Sequence, residues 1–261
     1  MEIKFINYIF KEKAVSFEIT PNKIIGITGQ NKEYLGQIIA LKELNKGQVT
    51  IDGIKITKDN INEYRKKIIF VKKELNTKQI KVLNLLNDYV IKHKIYVKDP
   101  NKKIKDAIKI VGLEESIIEK NVYELSYSEK KILQLAMALL TNPEIIIIDE
   151  PFKTLDKVNE KKLIMLLQRL KEQFARTIVI LTDDSNILYK YTTDMIFIKN
   201  DEILLSGETN EIYQRVDFLK RNRFDIPEIV EFTYIANKKK NAKIDYHKDV
   251  RDIIKDIYKH I

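Results

Sequence analysis

Apolar residues along the chain form short runs of strand length and longer runs with helical spacing. Strands are predicted where apolar residues are continuous or alternate with polar ones. The predicted strands are Glu2–Phe10, Ala14–Ile19, Ile24–Thr28, Gly47–Gly53, Ile68–Val71, Ile145–Ile148, Thr177–Thr182, Met195–Ile198 and Glu202–Leu205. Helices are predicted where apolar residues recur every three or four positions. They cover Leu35–Leu41, Val82–Lys92, Lys105–Val111, Leu133–Leu139 and Lys157–Phe174.

The order of these elements predicts the fold class. Strands that alternate with helices around continuous apolar runs indicate an α/β fold, with a parallel sheet covered on both faces. The helical stretch from about Leu75 to Leu140 is predicted to be an inserted subdomain. After Gly207 the chain is helical and charged, which predicts a small C-terminal extension. We therefore expect one domain at residues 1–206 and an extension at 207–261.

Two carboxylates follow the most apolar strand of the chain. Four consecutive Ile residues place Asp149 and Glu150 at the carboxyl end of a central strand, where α/β sheets bind ligands. In an ATPase the first such carboxylate holds Mg²⁺ and the second polarises the attacking water. Taken alone, the same pattern is also compatible with a simple polar strand end.

An ordered set of short motifs surrounds this strand. The segment Leu125–Lys131 opens a helix about twenty residues upstream, Leu155-Asp156 follows the acidic pair, and a second strand ends at Thr182-Asp183. The order resembles the ATP-binding cassette (ABC) family of transporter ATPases: signature loop, helix, Walker B strand, D-loop and switch-loop strand. The resemblance covers about residues 1 to 210. It implies a P-loop NTPase fold of ABC type, with a RecA-like core and an antiparallel β-subdomain.

The C-terminal segment refines the resemblance. Gly207, Glu211–Tyr213 and Phe224–Pro227, followed by an amphipathic helix, look like the tail of energy-coupling-factor (ECF) cassettes. In that family the tail mediates dimer contacts. The resemblance implies a second cassette subunit, in a homodimer or a heterodimer, and a transmembrane coupling subunit. The groove beside Lys73–Lys92 is where that coupling subunit is expected to bind.

The expected phosphate-binding segment, Gly26–Leu35, departs from the family pattern Gly-x-x-Gly-x-Gly-Lys followed by Ser or Thr. If Lys32 is aligned with the Walker lysine, the residues after it match the family pattern. If Gly29 is aligned with the first Walker glycine, the residues before it match the pattern. Both hold only if three residues are missing between Asn31 and Lys32; otherwise Asn31 replaces a glycine. In both alignments Glu33 replaces the hydroxyl that binds Mg²⁺. The resemblance assigns ATP binding to Gly29, Gln30, Asn31, Lys32, Glu33 and Tyr34.

Other phosphate-contacting positions are altered too. Ser126 of the signature loop is kept, but Tyr127 and Ser128 stand where the family has glycines. Asp183 stands at the position of the switch histidine, and an ionised carboxylate cannot donate to phosphate. Lys73, or alternatively Lys72, stands at the Q-loop glutamine. The resemblance adds Phe10, near the aromatic that stacks on adenine, to the nucleotide-binding residues, although an early aromatic on a strand is more often part of the core. Its intact positions are Asp149, Glu150, Asp156 and Lys32.

Composition narrows the chemistry. The absence of Cys excludes disulfides, iron–sulfur clusters and thiol catalysis. The three histidines, His93, His247 and His260, are not spaced to bind a metal together. The net charge of +9 is dispersed, which favours a solvated surface over a nucleic-acid or membrane contact. The segment Met1–Lys13 lacks a signal-peptide pattern, and no apolar run approaches the roughly 20 residues of a membrane span.

The resemblance to ECF cassettes and the altered phosphate-contacting positions together give the leading hypothesis. The chain is an ECF-type cassette subunit on the cytoplasmic face of the membrane, with ATP and Mg²⁺ as family cofactors and with weak or lost hydrolysis. The first alternative is a working ABC ATPase with an atypical P-loop, for which the retained Glu150 argues. The second is a cassette-derived nucleic-acid-binding protein, for which only the net charge argues.

Overall fold

The computed structural model describes residues 1–75, 79–153, 155–240 and 244–259. The strands are β1 Ile3–Phe10, β2 Lys13–Ile19, β3 Ile24–Gly29, β4 Gln48–Ile51, β5 Ile54–Lys55, β6 Ile68–Val71, β7 Ile145–Asp149, β8 Thr177–Leu181, β9 Asp194–Lys199 and β10 Glu202–Glu208. The helices are α1 Lys32–Ile39, α2 Ile61–Arg65, α3 Val82–Lys92, α4 Pro100–Ile110, α5 Tyr127–Leu140, α6 Lys157–Phe174, α7 Ser185–Tyr191, α8 Thr209–Tyr213, α9 Val216–Arg221, α10 Glu228–Lys240 and α11 Val250–Lys259.

The central sheet has six strands in the order β10-β9-β3-β8-β7-β6. All neighbours pair in parallel except β10, which returns antiparallel to β9. The four isoleucines of β7 are completely buried because helices cover both faces of the sheet, as a continuous apolar run requires. The predicted α/β class and its parallel sheet are therefore confirmed.

A second sheet of four antiparallel strands, in the order β2-β1-β4-β5, forms the β-subdomain. Its strands alternate buried and exposed residues, so one face packs on a core. On that face the rings of Phe5 and Phe17 stack with their centroids 4.4 Å apart. A register shift interrupts the pairing of β1 with β2 between Phe5 and Tyr8.

A helical layer is inserted in the sequence between β6 and β7. It consists of α3, α4 and α5 and two short 3-10 helices at Glu115–Glu119 and Val122–Glu124. Apolar side chains such as Leu86, Ile104 and Leu133 bury one face of each helix in a common core. The predicted helix Val82–Lys92 has the observed bounds, whereas α4 begins at Pro100, earlier than predicted. Asp99 caps α4 by accepting a hydrogen bond from the Lys102 amide, and the proline occupies the first helical position.

The C-terminal helices pack against the antiparallel edge of the central sheet. The buried Tyr213 ring packs edge-on against the Phe197 ring. The Phe197 ring also packs edge-on against the Phe224 ring, with the two centroids 4.9 Å apart. Lys248 Nζ donates to the Thr192 carbonyl at 2.8 Å. Strand β10 continues to Glu208, and the boundary between domain and extension near residue 206 stays a prediction. Within the described ranges, no helix combines the length and the apolar character needed to cross a bilayer.

Candidate functional site

The candidate site lies where three neighbouring parallel strands end. Strand β3 ends at Gly29, β7 ends at Asp149, and Asp183 lies two residues beyond the end of β8. Since β3, β8 and β7 are adjacent and parallel, their carboxyl ends meet at one edge of the sheet. Helix α1 begins at the same edge and brings Lys32 to these carboxylates.

Lys32 bridges two carboxylates. Its Nζ atom lies 2.5 Å from Asp183 Oδ2 and 3.3 Å from Glu150 Oε1. Burial lowers the pKa of Lys32, but the hydrogen bond and charge of Asp183, followed by the charge of Glu150, more than compensate and raise it. Lys32 is therefore firmly protonated, and its charge is neutralised within the protein.

Asp183 accepts hydrogen bonds from three donors. Besides Lys32, the Thr28 hydroxyl donates to Oδ1 at 2.9 Å and the Gly29 amide donates to the same oxygen at 3.0 Å. Partial burial opposes its charge, yet these donors hold the pKa of Asp183 below its usual value. An ammonium, a hydroxyl and a backbone amide are donors of the kind that bind a phosphate. In this structure a carboxylate of the chain itself takes all three.

Glu150 sits at a strained position just beyond β7. Its φ of 42° lies in the left-handed region, which residues other than glycine seldom adopt. Its amide donates to the Leu181 carbonyl at 2.9 Å, and the Thr182 hydroxyl donates to Oε2 at 2.9 Å. With Lys32 on its other oxygen, the Glu150 carboxylate is held by two donors from neighbouring elements.

The connection from β3 to α1 is short. Gln30 and Asn31 are its two residues, whereas the family pattern has five between its first glycine and its lysine. Asn31 Nδ2 donates to Asp201 Oδ1 at 2.7 Å, so the turn between β9 and β10 holds the connection. Gln30 Oε1 accepts from the amide of Asn200 in that turn at 3.3 Å. The shortened connection therefore contributes fewer backbone amides to surround a phosphate chain than the family loop does.

The residue type of Gly29, which ends β3 just before the connection, is fixed by sterics. Its φ is +105°, and a Cβ at this position would lie 2.0 Å from the carbonyl oxygen of Ile198. The glycine therefore lets β3 and β9 approach closely at the sheet edge.

A cavity of about 430 Å³ beside Lys32 is the place for a nucleotide's phosphates by position in the fold. Glu33, Asp149 and Glu150 line it together with Lys73. Burial, followed by the charges of Glu33 and Glu150, raises the pKa of Asp149. Asp149 and Glu150 are carboxylates that the family also has at this edge, but Glu33 in the first turn of α1 adds a negative charge where the family has the hydroxyl that binds Mg²⁺. That added charge repels a triphosphate. The residues present do not fit Mg-ATP in the way that the family motif requires.

Lys131 was not singled out from the sequence. Its side chain is 2% exposed, and Nζ donates to the carbonyls of Lys73 at 2.6 Å, Lys72 at 3.2 Å and Asp149 at 3.4 Å. Burial lowers the pKa of Lys131 to about 8, against the opposing charge of Asp149. This lysine ties the Q-loop segment to the end of β7. The signal was its helical spacing from Leu135, which puts a charge on the buried face of α5.

The two aromatic residues that the resemblance assigns to nucleotide, Phe10 and Tyr34, pack on each other. Phe10 is completely buried and packs on the Tyr34 ring at 5.5 Å, so it offers no exposed face for adenine to stack on. The Tyr34 hydroxyl accepts from Asn45 Nδ2 at 3.2 Å, and Lys11 lies over its ring. Tyr34 borders the cavity, but its contacts join α1 to the β-subdomain. Both rings were assigned to nucleotide from their place in the sequence alone.

The signature-loop and D-loop residues cap helices. The Ser126 hydroxyl accepts from the Glu129 amide, and Glu129 Oε2 accepts from the Ser126 amide, which forms a capping box at α5. Ser128 lies half-buried in the first turn of that helix. Asp156 caps α6 by accepting from the Asn159 amide at 2.8 Å. Within the described ranges, none of these residues is hydrogen-bonded to the Lys32 site.

A sheet-edge site between a strand–loop–helix segment and paired carboxylates defines an α/β domain of the P-loop type. The family model described as ABC transporter matches residues 13–153. The chain therefore belongs to the ABC transporter family, as its motifs indicated.

Proteins that are similar to this chain include energy-coupling factor cassettes. The energy-coupling factor transporter ATP-binding protein EcfA of Methanocaldococcus jannaschii is 25% identical over 262 residues, covering 95% of this chain and 91% of the relative. EcfA2 of Enterococcus faecalis is 28% identical over 217 residues, covering 80% and 75%. The structure of cbiO1 from Clostridium perfringens, part of the ABC transporter complex cbiONQ, has a TM-score of 0.72 at 21% identity, covering 89% and 98%. This last likeness confirms the cassette fold.

Proposed function

We propose that this chain is the cassette subunit of an ECF-type membrane transporter, that it hydrolyses ATP weakly or not at all, and that it serves as a structural or regulatory half of a cassette dimer. The ECF names of its relatives support the first part. The observation that carries the second part is Asp183, which occupies the Thr28, Gly29 and Lys32 donors of the phosphate site.

A bound triphosphate would have to displace Asp183 from three hydrogen bonds. Its terminal oxygens would then meet Glu33 in the same cavity, in addition to Asp149 and Glu150, which an active cassette also has. Losing one electrostatic stabiliser of a transition state commonly costs ~10²–10³ in rate. Several such positions are altered, and losses within one coupled site do not simply add. We therefore expect hydrolysis far below that of an intact cassette.

The partner contact is proposed at a groove of about 1070 Å³ between β6, α3 and α5. Its floor is apolar, with Ile69, Leu75 and Met137. Basic side chains surround it: Lys42, Arg65, Lys66, Lys72, Lys92 and Lys103. An amphipathic segment with acidic residues would complement both features. We assign this groove to a transmembrane coupling subunit, which would hold the chain at the cytoplasmic face of the membrane.

One observation favours the alternative of a working ATPase. Asp149 ends β7 and Glu150 follows it, at the positions of a metal ligand and a catalytic carboxylate, and Thr182 orients Glu150. In that case Lys32 would exchange Asp183 for phosphate when the nucleotide binds. The two candidates differ in the affinity of the purified chain for Mg-ATP.

Calorimetry with Mg-ATP tests the proposal. We expect no measurable binding at millimolar nucleotide by the wild-type chain, and binding at least tenfold tighter in Asp183→Asn, because Asn does not neutralise Lys32. Asp184→Asn is the matched control, because it removes a carboxylate charge from the adjacent residue. Asn is also a good helix cap for α7, so this variant should bind Mg-ATP as the wild type does. Micromolar binding by wild type that Lys32→Ala abolishes would refute the proposal.

A further inference from the structure

The last two residues of α3 and the turn that follows them, residues 91–98 and together called the 91–98 turn, carry an unusual combination of side chains. Tyr96 is 88% exposed and Ile91 is 74% exposed, although both are large apolar residues. Lys92, Lys94 and Lys98 lie between and beside them, and all three are exposed. Large apolar side chains interleaved with lysines on a surface are typical of segments that bind the headgroup region of a membrane.

The conformation of the 91–98 turn is fixed at both ends. Helix α3 ends where Lys94 adopts a left-handed conformation with φ of 51°, and the His93 amide still donates to the Tyr89 carbonyl. Asp99 and Pro100 begin α4 immediately after the turn. The exposed side chains are therefore held outwards by the backbone, and binding through them requires little ordering of the chain.

The charge of the 91–98 turn is positive and largely uncompensated. Throughout the described ranges, no carboxylate lies within ion-pair distance of Lys92, Lys94 or Lys98. Asp99, the nearest acid in sequence, accepts the capping hydrogen bond of α4. His93 stacks on Tyr89, and burial together with Lys92 lowers its pKa, so it stays neutral near pH 7. The three lysines thus remain available to an anionic partner.

The two sides of the turn differ. Lys92, Lys94 and Ile95 line the basic groove, whereas Ile91, Tyr96 and Lys98 are exposed outside its lining. A groove suits a helix of another protein, whereas exposed apolar side chains beside lysines that lack an ion pair in the described part of the chain suit the headgroup region of an anionic membrane. We propose that the 91–98 turn is a lipid-binding site, in which Ile91 and Tyr96 enter the headgroup region of an anionic bilayer and the lysines bind its phosphates.

The proposal goes beyond the cassette function and does not depend on hydrolysis. It concerns direct contact with lipid and holds for the purified chain without any transmembrane subunit. Failure of the lipid experiment would leave the proposal about ATP unaffected, and the reverse is also true.

The chain contains no Trp, so Tyr96→Trp introduces a single fluorescent reporter at the tip of the turn. We expect its emission to shift to the blue with vesicles of phosphatidylcholine and phosphatidylglycerol, but not with phosphatidylcholine alone. Val158→Trp, at an exposed apolar position of α6 that also lies near lysines, is the control and should not shift. Equal shifts at both positions would overturn the proposal, because they would indicate general adsorption of a basic protein.

Sedimentation with the same vesicles measures the affinity. Each lysine near an anionic surface contributes about 1 kcal/mol, or roughly fivefold. The triple variant Lys92→Gln, Lys94→Gln, Lys98→Gln should therefore bind at least tenfold more weakly, and Ile91→Ser with Tyr96→Ser should also bind more weakly. Gln at Lys55, Lys58 and Lys161 removes the same charge elsewhere and should have a much smaller effect. Equal losses in the two triple variants, or a blue shift of Tyr96→Trp with polyglutamate but not with lipid, would overturn the proposal.

Discussion

At the scale of single residues, the site shows how one substitution can change what a phosphate site binds. A histidine at the position of Asp183 would be a neutral or cationic side chain able to donate to a phosphate. The carboxylate instead reaches across the sheet edge to Gly29 and Lys32 and pairs with them. The donors are satisfied without a ligand. The free energy gained when an anion binds from solution is therefore only the difference between two similar sets of hydrogen bonds.

Lys131 gives a prediction about pH. Because burial lowers the pKa of Lys131 to about 8 from an ordinary value near 10.5, the folded chain loses this proton before the unfolded chain does. Between these pH values the unfolded state binds more protons, so the stability due to Lys131 rises with pH. Below about pH 8 both states are protonated, and the full cost of the buried charge is present. Urea unfolding at pH 7 and pH 10 measures the change.

The comparison variant is Lys131→Met, which keeps the length of the side chain without its charge. The free energy of unfolding of wild type relative to Lys131→Met should increase by about 3 kcal/mol across this window. A difference between the two chains that does not change with pH would contradict the prediction. It would mean that the ammonium is stabilised by the three carbonyls as well as it is by water.

At the scale of elements, the connection between β3 and α1 matters most. Its two residues match an alignment in which three residues of the phosphate loop are missing between Asn31 and Lys32. The loop amides of a complete P-loop wrap the phosphates, and the glycines permit this path. The short loop and the contact of Asp183 with Lys32 therefore both disfavour the binding of phosphate.

A loop insertion tests this cooperation. Inserting Gly-Ser-Gly between Asn31 and Lys32 supplies further amides, but Asp183 still holds Lys32, so we expect little gain in ATP affinity from the insertion alone. Combined with Asp183→Asn, it should improve the dissociation constant at least tenfold beyond Asp183→Asn alone, as measured by calorimetry.

The same insertion after Gly112, in an exposed turn far along the chain, is the control and should not change affinity. Equal affinities with and without the loop insertion in the Asp183→Asn background would show that loop length does not limit binding.

The strands and helices were predictable from sequence because their signals are local. The four isoleucines of β7 and the periodicity of α3 identify these elements within a few residues. The partners within the site were not predictable, since Thr28 and Lys32 meet Asp183 across more than 150 residues of chain. Whether Phe10 is exposed likewise depends on how Tyr34 packs against it. Motif order located the site, and only the fold showed which side chains pair.

At the scale of the whole molecule, the tail raises the question of how two cassettes would associate. Ser126, Ser128 and Asp156, which the family resemblance assigns to nucleotide, are engaged in helix starts in this chain. If the proposed loss of ATP binding holds, nucleotide does not join the two copies. Helix α11 offers another means, because Val250, Ile254 and Tyr258 are exposed and recur every four residues along one face.

We predict that the chain self-associates through this face of α11 and that Mg-ATP does not change the association. Ile254→Asp places a charge in the middle of the apolar face and should weaken association at least tenfold in analytical ultracentrifugation, because burying an unpaired carboxylate is costly. Lys255→Asp adds an acidic residue at the next position, which is exposed and ion-paired with Asp252, and should weaken it less. A chain that is monomeric without ATP and dimeric with it would contradict the prediction, because the phosphate sites would then join the two copies.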